Sequence, residues 1–96
     1  MSLYPNINEI SVNRCVPYYL MSSYLYYKED KYVLNDNDYD LLCKRIINEW
    51  DSITHVHKHF IDKDSLNAGT GYTNEYNNRI ISAACTWYQD YEKEIN

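Results

Sequence analysis

Apolar residues recur at helical spacing in three parts of the chain and predict three main helices. The first helix is expected from about Asn13 to about Lys28, with an apolar stripe formed by Val16, Leu20, Met21, Tyr24 and Tyr27. The second helix should follow Asn35, whose side chain suits an N-cap, and its apolar positions are Tyr39, Leu42, Cys43, Ile46, Ile47 and Trp50. The third helix should follow a Thr73 cap, with a stripe formed by Ile80, Ala84, Trp87, Tyr88 and Tyr91.

The segments outside these stripes are richer in turn-forming and polar residues. Residues 1–12 are expected to form an irregular arm, and residues 29–34 a short extended connection. A short helical turn is expected within residues 51–64, followed by a loop at 66–72 that contains both glycines of the chain. The pattern therefore predicts an all-α fold, a small bundle of three main helices with a structured loop between helices two and three. Residues 13–96 are expected to form a single domain.

Composition and charge narrow the classes of partner. The chain has 96 residues, a net charge of −5 and 12 tyrosines. Its few lysines and arginines are scattered along the sequence, so we expect no autonomous binding to nucleic acid. The sequence has no apolar run long enough for a membrane span, and its three cysteines form no CxxC pair. These features predict a cytoplasmic protein that does not bind a membrane.

The segment YLYYKEDKYVLNDNDYD, residues 24–40, combines adjacent tyrosines at the end of one helix with carboxylates at the start of the next. Asp36, Tyr39 and Asp40 are spaced i, i+3 and i+4, so they share one face of the second helix. If the connection folds back, the tyrosines lie opposite that face. The expected result is a concave site with aromatic walls and two carboxylates, formed by Tyr26, Tyr27, Asp36, Tyr39 and Asp40.

This segment resembles the N-terminal domain of NAD-dependent DNA ligases. That family has a Tyr followed by Tyr or His near the end of one helix and an Asp-x-x-Tyr-Asp run opening the next. The resemblance implies that Tyr26, Tyr27 and Tyr39 hold a nicotinamide ring and that Asp36 and Asp40 help to bind the ring and its ribose. It implies NAD or nicotinamide mononucleotide (NMN) as the ligand. Cationic rings stack on electron-rich aromatic faces, and carboxylates accept hydrogen bonds from ribose hydroxyls.

The resemblance does not extend to ligation. The sequence contains no Lys-x-Asp-Gly motif for adenylation, and no nucleophile with a matched base and acid is evident in it. Residues 55–72 are also similar to short phage-encoded proteins described only as ligase-related, which implies a phage origin and a location in the host cytoplasm. We therefore expect a binding module, and do not predict an enzyme.

Two further groups are candidates for contact with a ligand phosphate. His57 and His59 lie within the only histidine cluster of the chain, and Gly69, Thr70 and Gly71 could present backbone N–H groups to an anion. Ordinary exposed histidines and an ordinary glycine turn explain the same residues. The histidines have no cysteine beside them, so no metal site is predicted.

Two functions from different classes fit the sequence. The first is a stand-alone module that binds NAD or NMN as a sensor, a sponge or an accessory subunit of another enzyme. The alternative is a phage-encoded interaction protein that inhibits a host or defence protein through its acidic, tyrosine-rich surface, since tyrosine is enriched at the centres of protein interfaces.

Overall fold

The described part of the chain forms four α helices connected by turns and short irregular segments. The computed structural model describes residues 6–69 and 74–95. The helices are α1 (Val12–Glu29), α2 (Asp36–Asn48), α3 (Lys63–Asn67) and α4 (Asn78–Ile95), and 3-10 turns at Trp50–Ser52 and Lys58–Phe60 lie between α2 and α3. These two stretches contain no β-strand. The predicted all-α fold with three main helices and a structured connection between the second and the third is confirmed.

Helix α1 begins one residue earlier than the sequence suggested. The Ser11 hydroxyl caps it by accepting a hydrogen bond from the backbone N–H of Arg14 at 3.3 Å. Pro17 is consequently beyond the first turn, and because proline lacks an N–H, the Asn13 carbonyl loses its usual helical donor.

The end of α1 determines the direction of the connection to α2. Asp30 adopts the left-handed conformation with φ of 54°, and the N–H of Lys31 donates to the Leu25 carbonyl at 2.9 Å. The chain then turns back, and the side chains of Val33 and Leu34 enter the core. This reversal brings the connection next to the last turns of α1.

The N-terminus of α2 is capped as the sequence predicts. The side chain of Asn35 accepts a hydrogen bond from the Asp38 N–H at 2.8 Å, and acidic residues in the first turn favour the positive end of the helix dipole. The last position of the predicted apolar stripe, Trp50, is not part of α2. The helix ends at Asn48, and Trp50 begins the 3-10 turn that follows.

The predicted start of the last helix is wrong by several residues. Thr73 itself lies outside the described residues, but residues 74–77 are not helical. The side chain of Asn77 accepts from the N–H of Ile80 at 2.8 Å and so caps α4.

Helix α1 is the centre of the packing because it contacts both α2 and α4. An edge-to-face contact of Tyr18 with Trp87, with centroids 5.4 Å apart, joins α1 to α4. None of the helices in the described part of the chain has the length and apolar character needed to cross a bilayer. The largest fully buried side chains are Tyr19, Leu20, Leu25, Leu42, Ile46 and Leu66.

Arg45 of α2 anchors the segment that precedes α1. Its guanidinium donates to the carbonyl of Ile7 at 2.9 Å and also to that of Ile10, and it pairs with Glu49 at 3.2 Å. The Ile7 side chain is 2% exposed. Residues 6–10 of the predicted irregular arm therefore pack on the helical core.

Replacing this guanidinium should weaken the fold measurably. We expect Arg45→Met to lower the free energy of unfolding by about 2 kcal/mol, because two partly buried carbonyls lose a charged donor. Urea denaturation followed by circular dichroism measures the change. Lys44→Met is the matched control, because Lys44 is 67% exposed and its ion pair with Asp40 is at the surface. Equal losses in the two variants would contradict the anchoring role.

Candidate functional site

A pocket opens where the end of α1, the connection after it and the start of α2 meet. Its cavity volume is about 150 Å³, which is below the roughly 300–1,000 Å³ of pockets that enclose a drug-sized ligand. Gly69, two residues after α3, completes the wall. The lining residues are Ser22, Tyr26, Tyr27, Lys31, Tyr32, Val33, Leu34, Asp36, Tyr39 and Gly69.

The sequence motif and the pocket largely coincide. Tyr26, Tyr27, Asp36 and Tyr39, four of the five side chains expected to form a site, line it together. They come from two helices and approach each other because the chain reverses direction at Asp30. What these four side chains bind remains a prediction.

Three tyrosines form an aromatic cluster at the mouth. The ring centroid of Tyr26 lies 4.6 Å from that of Tyr27 and 5.0 Å from that of Tyr32, both edge-to-face. Tyr26 is 43% exposed and Tyr32 is 56% exposed. A flat ligand entering the pocket would therefore meet aromatic surface first.

Tyr39 connects the pocket to the protein core. Its hydroxyl lies 2.6 Å from the Ser23 hydroxyl on α1, and its ring centroid is 5.8 Å from that of Tyr19. Burial raises the pKa of Tyr39 above its ordinary value, and a hydrogen bond with Ser23 opposes part of that rise. Tyr39 is therefore a neutral phenol, and its contacts with Ser23 and Tyr19 on α1 hold it in position.

The two aspartates occupy different positions. Asp36, the first residue of α2, lines the pocket with an exposed side chain. Asp40 is not part of the lining, and its carboxylate pairs with the Lys44 ammonium at 2.8 Å. Its other oxygen would lie 3.9 Å from a Cβ added to Gly69, so Asp40 stands at the pocket margin. The expected convergence of Asp36, Tyr39 and Asp40 thus holds for the first two.

The histidines predicted as phosphate contacts lie elsewhere. His59 packs on Phe60 with centroids 4.2 Å apart, and His57 lies 5.2 Å from His55. Burial lowers the pKa of His57, and the positive charges of His55, Arg79 and His59 lower it further. Neither His57 nor His59 lines the pocket.

The glycine loop is only partly described. Gly69 reaches the pocket wall and has φ of +74°, a conformation that glycine adopts without strain. Thr70 and Gly71, the other two loop residues predicted to contact phosphate, lie outside the described residues.

Sequence reasoning missed the contribution of the connection. Lys31 and Tyr32 line the pocket between the two halves of the motif, and the Lys31 ammonium lies 4.9 Å from the ring centroid of Tyr88 on α4. Their position between Tyr27 and Asp36 in the sequence could have indicated that they lie at the site. A connection that must fold back for the two halves to meet necessarily passes along the site.

Buried phenols should make the fold sensitive to alkaline pH. Burial raises the pKa of Tyr19 and Tyr39, and raises that of Tyr76 to about 12; burial likewise raises the Cys43 thiol to a pKa of about 12. A raised folded-state pKa contributes stability that is fully present below the unfolded value and is lost as pH rises. We therefore expect the free energy of unfolding to fall above about pH 9, by at most about 1.4 kcal/mol per pH unit for each such group.

Urea denaturation between pH 8 and 11, with tyrosinate absorbance recorded in parallel, checks this expectation. Tyr76→Phe should flatten the pH dependence, since one of the buried phenols is then absent. Ionisation of all the tyrosines in a single step near pH 10 without loss of stability would contradict it.

Comparison with known proteins gives no information on what the pocket binds. No protein-family model, curated protein or solved structure matches the chain. The ligase resemblance of residues 24–40 therefore rests on the sequence motif alone.

Proposed function

We propose that this protein is a small non-catalytic module that binds a nicotinamide nucleotide, NAD or NMN, in the pocket between α1 and α2. The observation that carries the proposal is the meeting of Tyr26, Tyr27, Asp36 and Tyr39 in one cavity. These are four of the five positions that match the nucleotide-binding segment of the ligase family.

The aromatic walls suit a cationic pyridinium ring. Tyr26, Tyr32 and Tyr39 all contribute to the cavity, and each good contact between a cation and an aromatic face contributes about 0.5–2 kcal/mol. The Tyr39 hydroxyl is already paired with Ser23 at 2.6 Å, so Tyr39 contributes to the cavity chiefly through its ring. The cluster at the mouth can cover a ring without requiring the core to rearrange.

The carboxylates suit the ribose and the positive charge of the ring. Asp36 is exposed within the lining, and a carboxylate accepts short, strong hydrogen bonds from hydroxyl groups. Asp40 stands at the margin, where one carboxylate oxygen pairs with Lys44 and the other lies near Gly69; a ligand that needs both oxygens would have to break this surface ion pair. Such a pair contributes about 0–1 kcal/mol, so the exchange costs little.

A role without ligation follows from the sequence, which contains no adenylation lysine motif. A module of this kind can report the concentration of the nucleotide, sequester it, or deliver it to a partner enzyme.

Titration calorimetry with NMN and with NAD tests the proposal. We expect weak binding, in the millimolar range, because the site is open on one side. Asp36→Asn and Tyr26→Leu should each weaken binding about 3- to 10-fold, since one removes the compensating charge and the other an aromatic wall.

Asp51→Asn provides a matched control, because Asp51 is exposed in the 3-10 turn and makes no contribution to the pocket lining. It should bind the nucleotides as the unmodified protein does. Absence of heat, and of chemical-shift change at the pocket tyrosines, at millimolar ligand would overturn the proposed function.

A second candidate function is supported by the exposed aromatic surface. Tyr26 and Tyr32 are among the most exposed large hydrophobic side chains in the described part of the chain, and exposed tyrosines are favoured at interface centres. The protein would then use the mouth of the pocket to inhibit a host or defence protein.

Affinity purification from phage-infected cells, with a Tyr26→Ser and Tyr32→Ser double variant in parallel, tests this role. A partner recovered by the unmodified protein and lost by the variant is the expected result. Recovery of no partner, or of the same proteins by both forms, would exclude it.

A further inference from the structure

The pocket carries one cationic side chain among its lining residues, and that residue is Lys31. It lies in the connection, five residues before Asp36, which supplies a carboxylate to the same cavity. A cavity with one ammonium and one carboxylate is electrostatically matched to a ligand that carries both a positive and a negative group.

We propose that Lys31 is the specificity-determining residue of this pocket and that it selects ligands bearing a phosphate monoester, so that the nucleotide is bound in preference to the corresponding nucleoside. The inference rests on the proposed function and deepens it. In this arrangement the tyrosines face the pyridinium ring, Asp36 takes the ribose hydroxyls, and the Lys31 ammonium pairs with the phosphate.

The ammonium is available for this pairing. Neither ion pair found among the described residues involves Lys31. Its observed partner is the Tyr88 ring of α4, at 4.9 Å from the ring centroid. A cation–aromatic contact at an exposed position is weaker than a charge-assisted hydrogen bond to phosphate, so a phosphate can displace it.

The alternative phosphate contacts in the described chain are less suitable. His57 and His59 do not line the pocket, and the pKa of His57 is lowered by burial and by neighbouring positive charge, which reduces its charge at neutral pH. Gly69 reaches the cavity with a backbone conformation that leaves its N–H bonded to the Leu66 carbonyl at 3.0 Å. Lys31 is thus the group in the lining that can meet a dianion.

Comparative titration with NMN and nicotinamide riboside, which differ only by the phosphate, tests the assignment. The unmodified protein should bind NMN about 5- to 10-fold more tightly than the riboside at low ionic strength. Lys31→Gln should bind both ligands with the affinity of the unmodified protein for the riboside. Raising the salt concentration should reduce the preference for NMN over the riboside, because salt screens the pairing of the Lys31 ammonium with the phosphate.

Lys28→Gln is the matched control. Lys28 is an exposed lysine in the last turn of α1 that does not line the pocket, and its substitution alters the net charge by the same amount. It should retain at least half of the preference for NMN. A shift of the Tyr88 resonances on adding NMN, absent in Lys31→Gln, is expected as the ammonium leaves that ring.

The outcomes separate the two proposals. Equal affinity of the unmodified protein for NMN and the riboside would overturn the role of Lys31 while leaving a nicotinamide site in place. Equal loss of the preference in Lys28→Gln and Lys31→Gln would also overturn it, because net charge alone would then explain the effect. Absence of binding by both ligands would overturn the proposed function and this inference together.

Discussion

The hydrogen bond between the hydroxyls of Ser23 and Tyr39, 2.6 Å long, is the interaction on which the pocket depends. It joins α1 to α2 directly beneath the cavity. The Tyr39 ring packs against the buried Tyr19 ring and also faces the cavity, so one side chain belongs to both the core and the site. Since a buried phenol without a partner is costly, the pairing holds Tyr39 in a single position. Tyr39 therefore connects the pocket lining to the packing of α1 against α2.

When tyrosines are buried in a small domain, their hydroxyl groups need hydrogen-bond partners inside the protein. Tyr19 is fully buried, and Tyr39 and Tyr76 are partly buried; each adds a hydroxyl to an interior of limited size. Hydrogen bonding among these groups and Ser23 allows the rings to contribute apolar area without leaving hydroxyls unpaired. The same arrangement leaves Tyr26 and Tyr32 exposed at the surface. The tyrosines thus occupy two different environments, the interior of the protein and the exposed rim of the pocket.

The two ends of α2 contact different parts of the protein. At its start, the Asn35 cap and Asp36 orient the carboxylate toward the cavity. Near its end, Arg45 holds the chain segment before α1 through the carbonyls of Ile7 and Ile10. A single helix therefore fixes both the site and the closure of the core. The acidic first turn and the basic residue in the last turn agree with the helix dipole at each end.

Local signals were sufficient for much of the fold. The apolar periodicity predicts α1, α2 and α4, and the cap at Asn35 is formed as expected, because such signals involve residues within one or two turns. The start of α4 differs from the prediction: Thr73 and Asn77 both have side chains suited to a cap, and the observed cap is at Asn77. The spacing of Trp50 continues the apolar stripe of α2, so the pattern predicts it to be helical. In the structure, the backbone at Trp50 forms a 3-10 turn.

The amino-acid sequence alone predicts the helical class and contains adjacent tyrosines followed by an Asp-x-x-Tyr-Asp run, whose resemblance to the ligase family implies a candidate ligand. Tertiary structure decided which residues share the cavity. It brought Tyr26, Tyr27, Asp36 and Tyr39 together, added Lys31 and Tyr32 from the connection, placed Asp40 at the margin and left His57 and His59 outside. The physical reason is that the reversal at Asp30 and the contact of α1 with α2 set these distances. Spacing along one helix specifies a face, whereas the meeting of two faces depends on how the chain turns between them.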